Sequence, residues 1–257
     1  MFMMVIEWFL WFIAYSFLGW VYESFICSIG QKRLINRGFL NGPVCPVYGF
    51  GALVTILFIG QRIDNIVVLF FTGMILTCTV EYITAVLLEK LFDAKWWDYS
   101  HHRFNIQGRV SLLGAVVFGV LSVFLIKYIH PFVGGVIGRL PDWTQIALSL
   151  IITVLLLLDL YVTVRHLLSL NGRLKEIQSV INDFLEQYAK RAGEIKDSIL
   201  DKFENSEFYN DHIKTLFVLN KIQNIRIIKA FPKLQSTKYN DAFQKLKNIL
   251  LGKEDNE

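Results

Sequence analysis

Polar side chains that could bind a solute or move protons are concentrated in a short stretch at 97–108. It reads Trp-Asp-Tyr-Ser-His-His-Arg-Phe-Asn-Ile-Gln-Gly and lies between two apolar segments. Imidazoles and carboxylates transfer protons, and arginine holds phosphate or carboxylate groups through paired hydrogen bonds. The stretch is therefore suited to binding a charged solute or to acid–base chemistry. Its candidate ligand-binding residues are Asp98, Tyr99, His102, Arg103 and Asn105, with Trp97 and Gly108 as structural residues.

A second polar stretch, 36–48, lies between the preceding pair of apolar segments. Its prolines and glycines exclude an ordinary helix start and leave main-chain groups available for binding. A tight turn followed by a glycine-rich packing face explains the same residues equally well. Candidate binding residues are Asn36, Arg37, Asn41 and Tyr48, and candidate structural residues are Gly38, Gly42, Pro43, Cys45, Pro46 and Gly49.

Three glutamates lie within or at the ends of apolar segments, where a carboxylate is costly unless it faces protein or water. Glu23, Glu81 and Glu89 together would suit a cation or proton relay, or pairing with Arg37 and Arg103. For Glu23 a purely structural ion pair with Arg33 or Arg37 is the alternative. Glu89, next to Lys90, is the one that fits a simple end charge. Asp159 is expected to pair with Arg165 or His166.

Long apolar segments must position these groups. The 257-residue chain is 54% hydrophobic, with a mean hydropathy of +0.44. Spanning a membrane takes roughly 20 apolar residues. The sequence predicts an all-α, polytopic helical membrane bundle of about five spans. The segment 45–60 is short and could be tilted, interfacial or re-entrant. The apolar runs lie at 4–29, 45–60, 65–89, 110–128 and 143–164.

Basic residues in short loops favour the cytoplasmic side. Their distribution predicts an N-terminus outside, a cytoplasmic C-terminus, and both polar stretches facing the cytoplasm. A Gly-rich external connection is expected to begin at His130-Pro131. We divide the chain into a transmembrane domain at 1–170 and a cytoplasmic helical or coiled-coil region at 171–257.

Other classes of site have little support. The spacing of Cys27, Cys45 and Cys78 fits neither a zinc site nor a disulfide framework, so we expect no metal and no cofactor. Walker and Gly-rich phosphate signatures are absent, so any ATPase must be a separate chain. We expect no nucleic-acid partner.

The two polar stretches are related by an offset of 66 residues. Glu23 corresponds to Glu89, Arg37 to Arg103 and Gly42 to Gly108. Both units read helix, glutamate, basic polar loop, glycine, helix. The sequence therefore predicts a parallel two-helix repeat, an arrangement in which transporters place sites between the repeats.

With these motifs, the chain resembles a bacterial family of multi-pass membrane proteins described as ABC-transporter type IV, or ABC transporter permease. The resemblance covers roughly residues 10–165 and implies a cell-membrane protein with a transport role. It rests on Phe17-Leu18-Gly19-Trp20, Asn36-Arg37-Gly38-Phe39-Leu40, Gly42-Pro43, Cys45-Pro46-Val47-Tyr48-Gly49, Glu81-Tyr82, Trp97-Asp98-Tyr99 and Phe104-Asn105, with Glu23, Glu89 and Gly108.

The favoured function is a membrane permease or transport component with a polar, carboxylate-lined cavity that opens to the cytoplasm. Its expected partners are the lipid bilayer and either a separate ATPase subunit or a second copy bound through the C-terminal helices. One alternative is a membrane-embedded enzyme acting on inner-leaflet lipid headgroups, with Asp98 and His101 or His102 as the base. The other is a non-catalytic membrane scaffold or sensor.

Overall fold

The computed structural model describes residues 1–60, 62–192 and 221–251, and these residues are mainly helical. Two short antiparallel strand pairs interrupt the helices, β1 (Ala94–Lys95) with β4 (Gln235–Ser236) and β2 (Asn105–Ile106) with β3 (Val110–Ser111). The helices are α1 (Phe2–Gln31), α2 (Pro46–Phe58), α3 (Ile66–Phe92), α4 (Leu112–Phe124), α5 (His130–Gly138), α6 (Asp142–Ala192), α7 (Lys221–Ala230) and α8 (Asn240–Leu251).

Among the described residues, four helical segments are long and apolar enough to cross a membrane: Phe2–Gln31, Ile66–Phe92, Leu112–Gly138 and Asp142–Asp183. The remaining apolar helix, α2, has 13 residues. At about 1.5 Å per residue it is roughly 20 Å long, shorter than a hydrocarbon core of about 30 Å. These helices confirm the predicted all-α, polytopic membrane bundle.

The prediction that an external connection begins at His130 was wrong. A π-helical turn at Leu125–Ile129 leads from α4 directly into α5, so the span continues to Gly138. Pro131 lies in the first turn of α5. Proline has no N–H group and disrupts the regular i→i−4 pattern. The wider turn just before it is a known way for a helix to continue past such a disruption.

Local chemistry explains where several helices begin and end. The side chain of Asn65 accepts hydrogen bonds from the N–H groups of Val67 and Val68 at the start of α3. The Ser111 hydroxyl oxygen accepts one from Gly114 N–H at the start of α4. Both are N-capping interactions that satisfy free N–H groups. At the C-terminal end of α1, Lys32 adopts a left-handed conformation with φ 51°, and this conformation ends the helix.

The chain divides into two compact units, the first comprising Met1–Leu88 and Trp97–Val164. Within it α1 and α2 pack in antiparallel directions at glycines. A Cβ at Gly19 would lie 2.2 Å from the Tyr48 ring, and one at Gly49 would lie 2.2 Å from Ser16 Oγ. A buried cluster continues from this contact and consists of Tyr15, Ala52, Ile56, Ile59, Leu69, Leu125 and Ile126.

The second unit comprises Glu89–Trp96 and the described residues from Arg165 onward. The Trp96 and Phe231 rings pack edge to face, with centroids 4.9 Å apart. Lys238 Nζ lies 2.8 Å from Asp93 Oδ1. The predicted helix at 239–251 is confirmed as α8, and the helix before Pro232 is α7; residues 208–220 of its predicted range lie outside the described residues. The division into 1–170 and 171–257 stays a prediction.

Candidate functional site

Residues 36–45 of the predicted 36–48 stretch form an irregular loop held against the end of α1, and residues 46–48 begin α2. Ser24 Oγ accepts a hydrogen bond from Arg37 N–H, and Ser28 Oγ accepts one from Ile35 N–H. Asn36 lies at the centre of the loop: its Oδ1 accepts from Trp20 Nε1 at 2.6 Å, and its Nδ2 donates to Asn41 O at 2.8 Å. The polar groups of this loop are therefore used mainly to hold the loop in its own conformation and against α1.

Asp159 of α6 holds the other side of the loop. Its Oδ1 accepts hydrogen bonds from Asn41 N–H at 3.0 Å and from Asn41 Nδ2 at 2.9 Å. Its Oδ2 accepts from Gly42 N–H at 2.8 Å, and the Thr163 hydroxyl donates to Oδ1 at 3.2 Å. We refer to these contacts as the Asp159 clamp. The expected pairing of Asp159 with Arg165 or His166 was wrong, because its oxygens bind the loop instead.

Glu23 links the loop to α2. Its Oε1 accepts a hydrogen bond from the Tyr48 hydroxyl at 2.6 Å, and its Oε2 lies 3.4 Å from Arg37 Nε. The ion pair with Arg37 is one of the two alternatives considered for Glu23. Both partners are only partly exposed, so solvent screens the pair less than it screens a surface pair. These contacts bring three of the candidate binding residues together.

A cavity of about 290 Å³ lies next to this cluster, among α1, α2, α3 and α4. Tyr48 forms part of its wall, with Glu23 bound to the Tyr48 hydroxyl. Glu81 of α3 also lines the cavity and is 8% exposed. Most of the remaining lining is apolar or aromatic, so the cavity is less polar than the predicted chamber. The other lining residues are Tyr15, Leu18, Gly19, Tyr22, Val47, Gly51, Ala52, Thr77, Phe118, Leu121, Ser122, Leu125 and Ile129.

The 97–108 stretch forms a second loop, closed by its own hydrogen bonds. Asn105 is central: its Nδ2 donates to His102 O at 2.7 Å and its Oδ1 accepts from Gly108 N–H at 2.8 Å. Asp98 Oδ1 accepts from Ser100 N–H at 2.9 Å. Gly108 has φ 70°, a left-handed conformation that suits glycine. Much of this polar sequence therefore builds the loop, which continues into the β2–β3 hairpin.

The Tyr99 phenol of this loop is affected by the charges of Glu81 and Glu23. Burial, and after it the negative charge of Glu81, raises the pKa of the Tyr99 phenol above its ordinary value. The charges of Glu23 and Arg37 also act on it.

Arg103 and His102 contact aromatic rings of their own loop, and Glu89 belongs to the other unit. Arg103 is exposed and lies over the Phe104 ring, with 5.9 Å from Cζ to the ring centroid. His102 packs edge-on against the Tyr99 ring. Glu89 belongs to the second unit, whereas Glu23 and Glu81 belong to the first.

The structural residues have distinct roles in the two loops. A Cβ at the buried Gly38 would lie 3.3 Å from Val44 O. Cys45 N–H donates to Ser16 O at 2.9 Å, and Pro46 lies in the first turn of α2. Pro43 is exposed. In the second loop, Trp97 Nε1 donates to Arg109 O at 2.9 Å.

The apolar helices define the chain as a multi-pass membrane protein of the helical class. Residues 10–164 match the model of the family described as Putative ABC-transporter type IV. The chain belongs to this family, which is the family that the sequence motifs predict. No curated protein and no solved structure matches it.

Proposed function

We propose that the chain is the membrane-spanning subunit of a transporter and that the cavity among α1–α4 holds its solute. The main support for this proposal is Glu81, whose buried carboxylate lines a cavity inside a membrane bundle. Intramembrane ionisable residues are costly and commonly mark solute or ion pathways. Membership in an ABC-transporter family supports the same role.

Glu23 and Arg37 serve as the polar link between the cavity and the first loop in this proposal. The Tyr48 hydroxyl, on the cavity wall, donates to Glu23, and Glu23 pairs with Arg37 of the first loop. A solute that enters from the side of the first loop would meet these groups before the cavity. With the N-terminus outside, as the basic loops predict, that side faces the cytoplasm.

Energy would come from a separate ATPase chain, because the sequence has no Walker signature. The cytoplasmic loops and the C-terminal helices are its proposed docking positions. Self-association through α7 and α8 is the alternative use of those helices. The lipid-headgroup enzyme and the scaffold remain predictions from the sequence, and the test below separates them from transport.

The test begins with the tagged full-length chain, purified from bacterial membranes and reconstituted with any copurifying ATPase that carries Walker motifs. We expect ATP-dependent uptake of a labelled solute from a panel of charged and neutral compounds. Glu81→Ala should lower uptake at least tenfold, whereas Asp142→Asn, at an exposed position of α6, should leave it unchanged. A chain that recruits no such ATPase and moves no solute contradicts the proposal. Turnover of labelled inner-leaflet lipids by the purified chain would favour the enzyme instead.

A further inference from the structure

The Glu81 carboxylate has no compensating partner among the described residues. Its side chain is buried, and its Oε2 atom accepts no hydrogen bond from that part of the chain. The nearby Glu23 is different, because Arg37 and the Tyr48 hydroxyl bind its two oxygens. In the part of the chain that the structure describes, the cavity therefore has one acid without a partner on its wall. Burying a carboxylate without a partner is strongly unfavourable, so this residue requires an explanation.

Aromatic rings surround the same space. Tyr15, Tyr22, Tyr48 and Phe118 all line the cavity. The rings of Tyr48 and Phe118 pack edge to face, with centroids 6.0 Å apart. The faces of aromatic rings attract cations within about 6 Å of the centroid, most strongly when the site is dry. Aliphatic side chains, among them Leu18, Val47 and Leu121, complete the lining.

We propose that the cavity binds an organic ammonium ion with an apolar body. The nitrogen lies beside the Glu81 carboxylate among the rings, and the hydrocarbon part contacts the aliphatic lining. The inference rests on the proposed function because it uses the same cavity, and it adds the chemical class of the solute. A bare metal ion fits poorly, because calcium takes six to eight oxygen ligands and magnesium about six. An ammonium ion with alkyl or aryl groups needs only the carboxylate and the rings.

The test compares two ligands of nearly the same shape. Benzyltrimethylammonium carries the charge, and neopentylbenzene has a carbon atom in place of the nitrogen. Equilibrium dialysis of the labelled cation uses the full-length chain in zwitterionic micelles, with empty micelles as the blank. We expect saturable binding in wild type, and at least tenfold weaker competition by the neutral compound.

Variants assign the charge selectivity to Glu81. Glu81→Gln keeps the shape of the side chain and should weaken binding of the cation at least tenfold. Glu81→Asp keeps the charge and should weaken it less, and Asp142→Asn should leave it unchanged. The wild-type comparison needs no variant, so it stands even if Glu81→Gln fails to fold.

The inference is overturned if wild type binds neither ligand, or if the neutral compound competes as well as the cation. The second result would identify an apolar site, such as one for a lipid acyl chain. Unchanged affinity for the cation in folded Glu81→Gln would overturn the role of the carboxylate. Binding is measured without ATP, so its failure is distinguishable from failure of transport. ATP-driven uptake of a neutral or anionic solute through this cavity would support the proposed transport function and contradict the proposal that the solute is an organic ammonium ion.

Discussion

Replacing Asp159 with asparagine should loosen the first loop. The two carboxylate oxygens accept hydrogen bonds from Asn41 N–H, Asn41 Nδ2, Gly42 N–H and the Thr163 hydroxyl. An asparagine keeps only one acceptor oxygen and brings an NH₂ group to the position of the other. That NH₂ group would face an N–H donor of the loop, so at least one hydrogen bond to a charged oxygen is lost.

Each hydrogen bond to a charged group contributes about 1.5–3 kcal/mol, against about 1 kcal/mol between neutral groups. Asp159 is half-buried, so solvent reduces the loss, and we take about 2 kcal/mol for the opening of the loop. This change corresponds to about a 30-fold larger open population, since 1.4 kcal/mol is tenfold.

Cys45 reports this opening directly, because it is a buried residue at the end of the same loop. In a Cys27→Ser, Cys78→Ser background, the rate of maleimide labelling measures how often the Cys45 thiol becomes exposed. Asp159→Asn should raise that rate about 30-fold, and Asp142→Asn on the same helix should not change it. Equal labelling rates in Asp159→Asn and the parent, or the same rise in both variants, would refute the role of the Asp159 clamp.

Three further predictions concern packing, the cavity wall and pH. Gly49→Ala should destabilise the chain by about 2–3 kcal/mol in mixed-micelle unfolding, because its Cβ would lie 2.7 Å from Phe12 O; Gly30→Ala, with nothing within 4 Å, is the control and should be near neutral. Tyr48→Phe removes the hydrogen bond to Glu23 and should lower the free energy of unfolding by about 1–3 kcal/mol; no loss would contradict the contact. In the second unit, the hydrogen bond from Lys238 lowers the pKa of Asp93 below its ordinary value of 3.8. The resulting small stabilisation is present above that value and is lost as pH falls through the lowered pKa. Lys238→Met should reduce this pH dependence of unfolding, with the remainder due to the hydrogen bond from Asn171. An unchanged acid profile would contradict the ion pair.

The helical membrane bundle was largely predictable from the sequence, because the length of an apolar run can be read from consecutive residues. The runs at 65–89 and 143–164 correspond to α3 and α6, with only Asn65 outside the helix. The continuation of the Leu112–Gly138 span through Pro131 was not predictable from the proline rule, because a single π-helical turn changes the local pattern. In that region Tyr15 hydroxyl and His130 Nδ1 lie 2.7 Å apart. A contact over such a separation in sequence leaves no periodic signal.

The site was predictable in its residue types and less so in its partners. Glycines, amides and acids indicated where polar contacts occur, yet the sequence could not show that Asn41 and Gly42 meet Asp159. An acid deep in an apolar run and an amide-rich loop were the available signals. The two loops of the predicted repeat also differ locally, since the second contains the β2–β3 hairpin. Side-chain hydrogen bonds that close each loop depend on backbone geometry that the offset of 66 residues does not specify.

The glycine contacts between α1 and α2 limit how the cavity can change shape. Gly19 against Tyr48 and Gly49 against Ser16 leave no room for these helices to slide or rotate past each other. They should therefore move as a single rigid body, with Glu23 and Tyr48 travelling together. If the cavity holds the solute as proposed, its admission would require displacement of α3 and α4, which supply Glu81 and Phe118 to the lining. In such a cycle the acid would move relative to the rings of α1 and α2, so occupancy and helix position would be mechanically linked.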